Sequence, residues 1–166
     1  MITVIRNALS HDAVERAFEL YRNTTNAVEI DGEVVDRHTS GQVGVFMLSK
    51  YTSDEFSFIW DEVQSKISDS IGSNVELVYA RILKYNRNCF IPNHLDSYES
   101  IYSDISVIIQ LGPPENYIGG EMIVGKQLMD LNQGDMVFYT YDVDHEVKKV
   151  KSGIRYVINL RCKTVK

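Results

Sequence analysis

In the stretch Phe90-Ile-Pro-Asn-His-Leu-Asp96 an imidazole, His94, stands two residues before a carboxylate, Asp96, at the end of a run with strand character. Side chains two apart in a strand point the same way, so this pair aims two kinds of metal ligand at one place. By itself the pair is weak evidence, because a His and an Asp meet at this spacing readily by chance. A second imidazole on another strand would change that: two imidazoles and one carboxylate on one face of an octahedron select non-haem Fe(II) and leave three positions open. His11 opens a helix and His38 falls in a stretch of mixed signal, so both read as surface or core-edge residues. His145 instead begins a strand-like run, HEVKKV, after DMVFYTYDVD. Ten residues further on is Arg155 of GIRYVINL. If KSG closes a three-residue hairpin, Val150 pairs with Ile154 and Lys149 with Arg155, which places His145 and Arg155 on one face about 13 Å apart at ~3.3 Å per residue. A five-carbon dicarboxylate that chelates a metal at one end and meets a guanidinium fork at the other spans about that distance.

These residues need a scaffold, and the sequence describes one. Ser10 can cap a helix carrying Ala13, Val14, Ala17, Phe18 and Tyr21 at helical spacing. Ser53 can cap a second, with Asp54 and Glu55 in its first turn, Phe56, Ile59, Trp60, Val63, Ile67 and Ile71 along one side, and Gly72 near its end. Both apolar stripes read as core-facing. Between the helices, GEVVDRH and GQVGVFML are readable as short strands. From Asn74 the pattern turns to short β-rich runs, VELVYARILKY, DISVIIQL, EMIVG, QLMDL, DMVFYTY, HEVKKV and IRYVINLRC, separated by turn residues. Many short strands after a helical leader predict a mostly β jelly roll with N-terminal helices buttressing one sheet. We expect a single domain over residues 1–166, with 1–73 as leader and buttress and 74–166 as the jelly-roll core.

Composition narrows the function classes. With 44% hydrophobic and 24% charged residues the chain is of ordinary globular type. No apolar run reaches the ~20 residues of a membrane span and no signal-peptide core opens the chain, so a cytoplasmic protein is expected. Cys89 and Cys162 form no framework and no zinc spacing. The net charge of -6 argues against a general nucleic-acid binder. Residues 148–166 nevertheless hold seven Lys or Arg and no acid; they are either a solvated charged hairpin or partly turned toward an anionic ligand.

From Tyr79 to Leu160, about half of the chain, the sequence resembles the Fe(II)/2-oxoglutarate-dependent oxygenases, within them the prolyl-4-hydroxylase-like group and most closely the compact bacterial hydroxylases called PKHD-type. Tyr85, His94 and Asp96 carry the resemblance, with SDISVIIQLGPPENYIGGEMIV, LNQGDMVFYTYDVDHEV and SGIRYVINL. It implies a double-stranded β-helix fold, Fe(II) held by His94, Asp96 and His145, and Arg155 on the distal carboxylate of 2-oxoglutarate. It also implies Tyr85 lining the cosubstrate pocket, where packing as a core aromatic is the alternative. O2 is the co-reactant, with ascorbate as an optional reductant. Three positions depart from the group's pattern: three residues rather than two separate Phe90 from His94, Asn88 stands where a glycine is expected, and Gln110 stands where some members place a tyrosine on the distal carboxylate. An amide could donate there instead. Gly119, Gly120 and Gly134 have structural explanations as turn or close-approach residues. Arg161, six residues after Arg155, reads as a strand-end charge, although AlkB-like nucleic-acid demethylases place an arginine similarly.

The implied activity is hydroxylation of an unactivated C–H bond coupled to oxidative decarboxylation of 2-oxoglutarate. A prolyl or other side chain of a peptide or protein is the first expectation for the substrate. A free amino acid or small metabolite is the second and a nucleic acid the third, because the acids of the loop SYESIYSD would repel phosphates. The alternative from another class is a non-enzymatic jelly-roll module that binds a ligand or partner, since the same sandwich hosts many functions.

Overall fold

Along four central strands, alternate side chains enter two different apolar layers, and this alternation decides where polar side chains can meet. The computed structural model describes residues 1–23, 27–35, 42–48, 53–96 and 103–165. In chain order its elements are β1 (Ile2–Ile5), α1 (His11–Asn23), β2 (Ala27–Val35), β3 (Gln42–Leu48), α2 (Ser53–Ile71), β4 (Asn74–Tyr85), β5 (Ile91–His94), β6 (Ile105–Gln110), β7 (Tyr117–Gly119), β8 (Met122–Val124), β9 (Gln127–Met129), β10 (Met136–Thr140), β11 (His145–Val147), β12 (Val150–Gly153) and β13 (Arg155–Val165). Among the described residues a large sheet runs β1-β10-β6-β13-β4-β3-β2, a smaller one β5-β11-β8-β9, and β12 pairs with β7. This is the expected jelly roll, entered by two helices. The strand β1, which carries no turn signal at its start, was not legible in the sequence.

Both helices pack on the outer face of the large sheet. Ala13, Val14 and Ala17 of α1 and Phe56, Ile59, Val63 and Ile67 of α2 are buried against Ala80, Ile82, Val107, Ile109, Met136, Phe138, Ile158 and Leu160. Ser10 caps α1, its Oγ accepting the Ala13 N–H at 3.2 Å, while the Glu62 carboxylate of α2 accepts both the Ser10 N–H and its hydroxyl. Gly72, at φ 69°, ends α2 with its N–H on the Ser68 carbonyl. The alternate residues Leu83, Tyr85, Ile108, Val137, Tyr139 and Val157 face the smaller sheet and form a second core with Met122, Val124 and Val147. A bulge where the pairing steps from Arg161↔Tyr79 to Cys162↔Leu77 lets Tyr79 and Arg81 keep this inner phase while Val75 and Leu77 face the helices.

One sequence expectation is corrected. KSG does not fold Val150 back on Ile154: β12 pairs with β7, Val150 opposite Gly119, whereas β13 lies in the large sheet between β4 and β6. The Val150 N–H donates to the Cys89 carbonyl at 2.9 Å and its own carbonyl accepts the Asn88 N–H at 2.8 Å, which ties this strand to the loop before β5. The chain therefore crosses between sheets here instead of reversing, and His145 and Arg155 share a cavity rather than the face of one hairpin.

Candidate metal centre

The two histidines are cross-strand partners. His145 opens β11 and His94 closes β5, and the antiparallel register sets their Cα atoms opposite each other. Their ring centroids are 4.2 Å apart. Each Nδ1 lies on the carbonyl two residues earlier, His94 on Pro92 at 2.9 Å and His145 on Val143 at 3.1 Å. A carbonyl can only accept, so each Nδ1 carries the proton and each Nε2 keeps its lone pair. Both Nε2 atoms face Asp96, at 3.8 Å and 3.7 Å from its two oxygens. One ligand atom from each of the three residues lies within 4.8 Å of the others.

Asp96 is held from behind. Arg161 Nη2 donates to its Oδ1 at 2.7 Å, Arg161 Nη1 donates to Oδ2 and to Ser106 Oγ, and the Ser106 hydroxyl donates to Oδ2 at 2.6 Å. Burial alone would raise the Asp96 pKa, but the hydrogen bonds and charge of Arg161, with help from His145 and Ser106, hold it at about 2. His145 is buried beneath Tyr139, whose ring centroid is 4.7 Å away, and burial drives its pKa down to about 4 against the pull of Asp96. At neutral pH the set is one carboxylate and a neutral His145, the protonation states a metal requires. Arg161 is thus not a strand-end charge. The sequence reading missed its partner, and missed Ser106; the available signal was a polar residue on the inner phase of an otherwise apolar strand.

The same cavity is lined by Tyr85, His94, His145 and Arg155. Arg155 and Tyr85 are register partners on β13 and β4, with the guanidinium carbon 5.2 Å from the ring centroid. Arg155 is buried, and its Nη1 has no hydrogen-bond partner. A buried orphan guanidinium nitrogen is costly, and an incoming carboxylate would satisfy it. Gly120, at φ 71°, makes room: a Cβ there would lie 3.2 Å from Arg155 Cδ. Gln110 is buried and its amide donates to the Gly112 carbonyl at 2.7 Å; with Arg155 it borders a neighbouring cavity of about 380 Å³. Asn88 adopts φ 72°, the left-handed region that a glycine would enter without strain, so the substitution preserves the turn. His11 is exposed at the start of α1 and is not part of this cluster, whereas His38 and residues 97–102 of the SYESIYSD loop lie outside the described residues.

The donor set and the buried arginine with its unsatisfied Nη1 fit ferrous iron and an acidic cosubstrate. A jelly roll presenting two imidazoles and a carboxylate in one cluster defines a mononuclear non-haem iron site. The chain belongs to the 2OG-Fe(II) oxygenase superfamily, whose profile matches residues 80–160. A PKHD-type hydroxylase of Rippkaea orientalis is 23% identical over 95% of this chain and 76% of its own length. Further PKHD-type hydroxylases match over 26% to 61% of their own lengths. A 2OG-Fe(II) oxygenase family oxidoreductase from Burkholderia pseudomallei superposes with TM-score 0.74 at 17% identity, over 98% of this chain and 84% of that one. For a Pseudomonas putida prolyl-4-hydroxylase the values are 0.70, 13%, 99% and 93%. Among the described residues no helix is long and apolar enough to cross a membrane.

Proposed function

We propose that the protein is an Fe(II)- and 2-oxoglutarate-dependent dioxygenase that hydroxylates an unactivated C–H bond. The observation that carries this reading is the convergence of His94, Asp96 and His145 on one point, beside a cavity that also holds the buried Arg155, whose Nη1 has no hydrogen-bond partner. A pure binding module has no need of both. When bound, iron and 2-oxoglutarate supply the oxidising chemistry, with O2 consumed and the keto acid leaving as succinate and CO2. The chain's own residues set the geometry. His94 and His145 offer Nε2, Asp96 offers one oxygen, and Arg161 with Ser106 keeps that carboxylate ionised and aimed. Arg155 takes the distal carboxylate, with Tyr85 packed on its guanidinium, and Gln110 supplies an amide beside it. Leu83, Ile108, Val147 and Val157 wall the cavity and keep water from the reacting atoms.

For the substrate, a prolyl or similar side chain of a peptide is supported by the likeness to prolyl-4-hydroxylase, and a free amino acid or small metabolite by a further arginine, Arg81, in the cavity wall. Anaerobic titration with Fe(II) and 2-oxoglutarate tests the reaction class. The expected result is a weak visible charge-transfer band, lost in His145→Ala, followed by succinate when O2 is admitted, with ascorbate added to sustain turnover. Folded protein giving neither band nor succinate would leave the binding-module reading in its place.

A further inference from the structure

Arg155 borders two cavities. The smaller, of about 70 Å³, is lined by Tyr85, His94 and His145, and the larger, of about 380 Å³, by Gln110, Tyr117, Met129 and Leu131. Among the described residues, Arg155 and Met122 alone line both. Strand register explains the place of Met122. On β8 it stands opposite Val147 of β11, which walls the metal cavity, and opposite Met129 of β9, which walls the larger one.

The larger cavity narrows from an open rim to a cationic floor. Arg155 and Gln110 are buried, Tyr117 and Met129 are half-buried, and Glu121, Asp130 and Leu128, the last 63% exposed, stand at the opening. Its volume lies within the roughly 300–1,000 Å³ of small-molecule sites, and apolar walls converging on a few polar groups are their usual make-up. Gly119 and Gly120 line it without side chains. A Cβ on Gly120 would lie 3.2 Å from Arg155 Cδ, so this glycine keeps the approach to the guanidinium clear. Between floor and metal the movable part is Met122, since an unbranched thioether with three rotatable bonds changes rotamer readily, whereas Arg155 is packed on the Tyr85 ring.

A substrate seated over the metal would cover the smaller cavity on the side where His94 is 31% exposed, and a dicarboxylate held by Arg155 would then have no exit there. The larger cavity meets Arg155 from another direction. We infer that it is the port through which 2-oxoglutarate enters and succinate leaves, with Met122 as the inner partition and Leu128 at the outer rim. This rests on the oxygenase reading, and it makes cosubstrate exchange independent of whatever occupies the metal side.

The test is stopped-flow mixing of the anaerobic Fe(II)-loaded protein with 2-oxoglutarate, following growth of the visible charge-transfer band. Slope and intercept of the observed rate against concentration give the association and dissociation rates. A residue on the route raises the barrier in both directions and leaves the end states alone. Leu128→Trp, a bulky ring at an exposed position, should therefore slow both rates by about threefold or more and keep the dissociation constant within about twofold. Met122→Ile, similar in volume but stiff at χ1, should act in the same way. Glu121→Gln combined with Asp130→Asn should raise the association rate by roughly threefold or more at low ionic strength, because the dianion then passes no like charge at the rim. Unchanged rates in Leu128→Trp, a weaker complex caused by faster dissociation alone, or an association rate indifferent to the rim acids would each overturn the inference. Should Met122→Ile fail to fold, the exposed rim variants still decide it. Absence of any band in the unsubstituted protein would instead defeat the oxygenase reading itself, so the two failures are distinguishable.

Discussion

At the scale of single residues, the metal ligands depend on groups that never touch the metal. Asp96 has both oxygens engaged by Arg161 and Ser106, and such outer contacts typically govern metal affinity by 10–100-fold. Arg161→Met is therefore expected to weaken Co(II) or Fe(II) binding by at least about tenfold while leaving the Asp96 side chain in place; unchanged metal affinity would show that the clamp is dispensable. If Arg155 is the proposed fork for the distal carboxylate, Arg155→Ala is expected to raise the 2-oxoglutarate dissociation constant by roughly a hundredfold through loss of a bidentate charged contact, and an unchanged constant would remove Arg155 from that role. Gly120→Ala is a subtler version: its Cβ would lie 3.0 Å from Val150 Cγ2 and 3.2 Å from Arg155 Cδ, at a positive φ. It should loosen 2-oxoglutarate binding with little effect on metal binding, which separate titrations of the two would resolve.

At the scale of elements, the site depends on where strands change sheet. The passage from β12 to β13 carries the chain from the β7 pairing into the large sheet, and Gly119 stands opposite Val150 in that pairing. Gly119 sits at φ 79° and a Cβ there would collide with the Lys149 carbonyl. Gly119→Ala is thus expected to cost about 2 kcal/mol or more, from left-handed strain plus backbone collision. A urea midpoint equal to that of the unsubstituted protein would contradict this. The helices are a separate element-scale device: Glu62 ties α2 to the cap of α1, so Glu62→Ala should lower stability by roughly 1 kcal/mol through loss of the cap's partner.

At the scale of the whole molecule, the buried centre makes stability of the metal-free protein depend on pH. His145 has a folded pKa of about 4, below its ordinary 6.5 because of burial. A lowered pKa means that the folded state refuses a proton the unfolded chain accepts, so the contribution is complete above pH 6.5 and is lost as pH falls to about 4. The loss is on the order of 3 kcal/mol at most. Asp96, at about 2 rather than 3.8, adds a second loss below that window, because its ion pair with Arg161 requires the ionised carboxylate. Urea denaturation of metal-free protein between pH 7 and pH 4 should show the first decline; a flat profile would place His145 in a more solvated setting than its burial implies.

The sequence by itself determined the ligand residues, the double-stranded β-helix and most strands, because HxD, the later histidine and the alternating apolar runs are local patterns that survive in one dimension. It also singled out Arg155 as a candidate, and the seven cations after residue 147 prove partly inward, with Arg155 and Arg161 buried while Lys148 and Lys163 pair with Glu146 and Glu76. Only the tertiary structure decided that KSG is a crossing between sheets, since a turn signal fixes a change of direction but not the sheet entered next. It alone brought Arg161 and Ser106 onto Asp96 and set Arg81 beside Asn159. Those contacts join residues from 10 to 78 positions apart. Their partners are chosen by strand register and by one bulge, neither of which a linear pattern records.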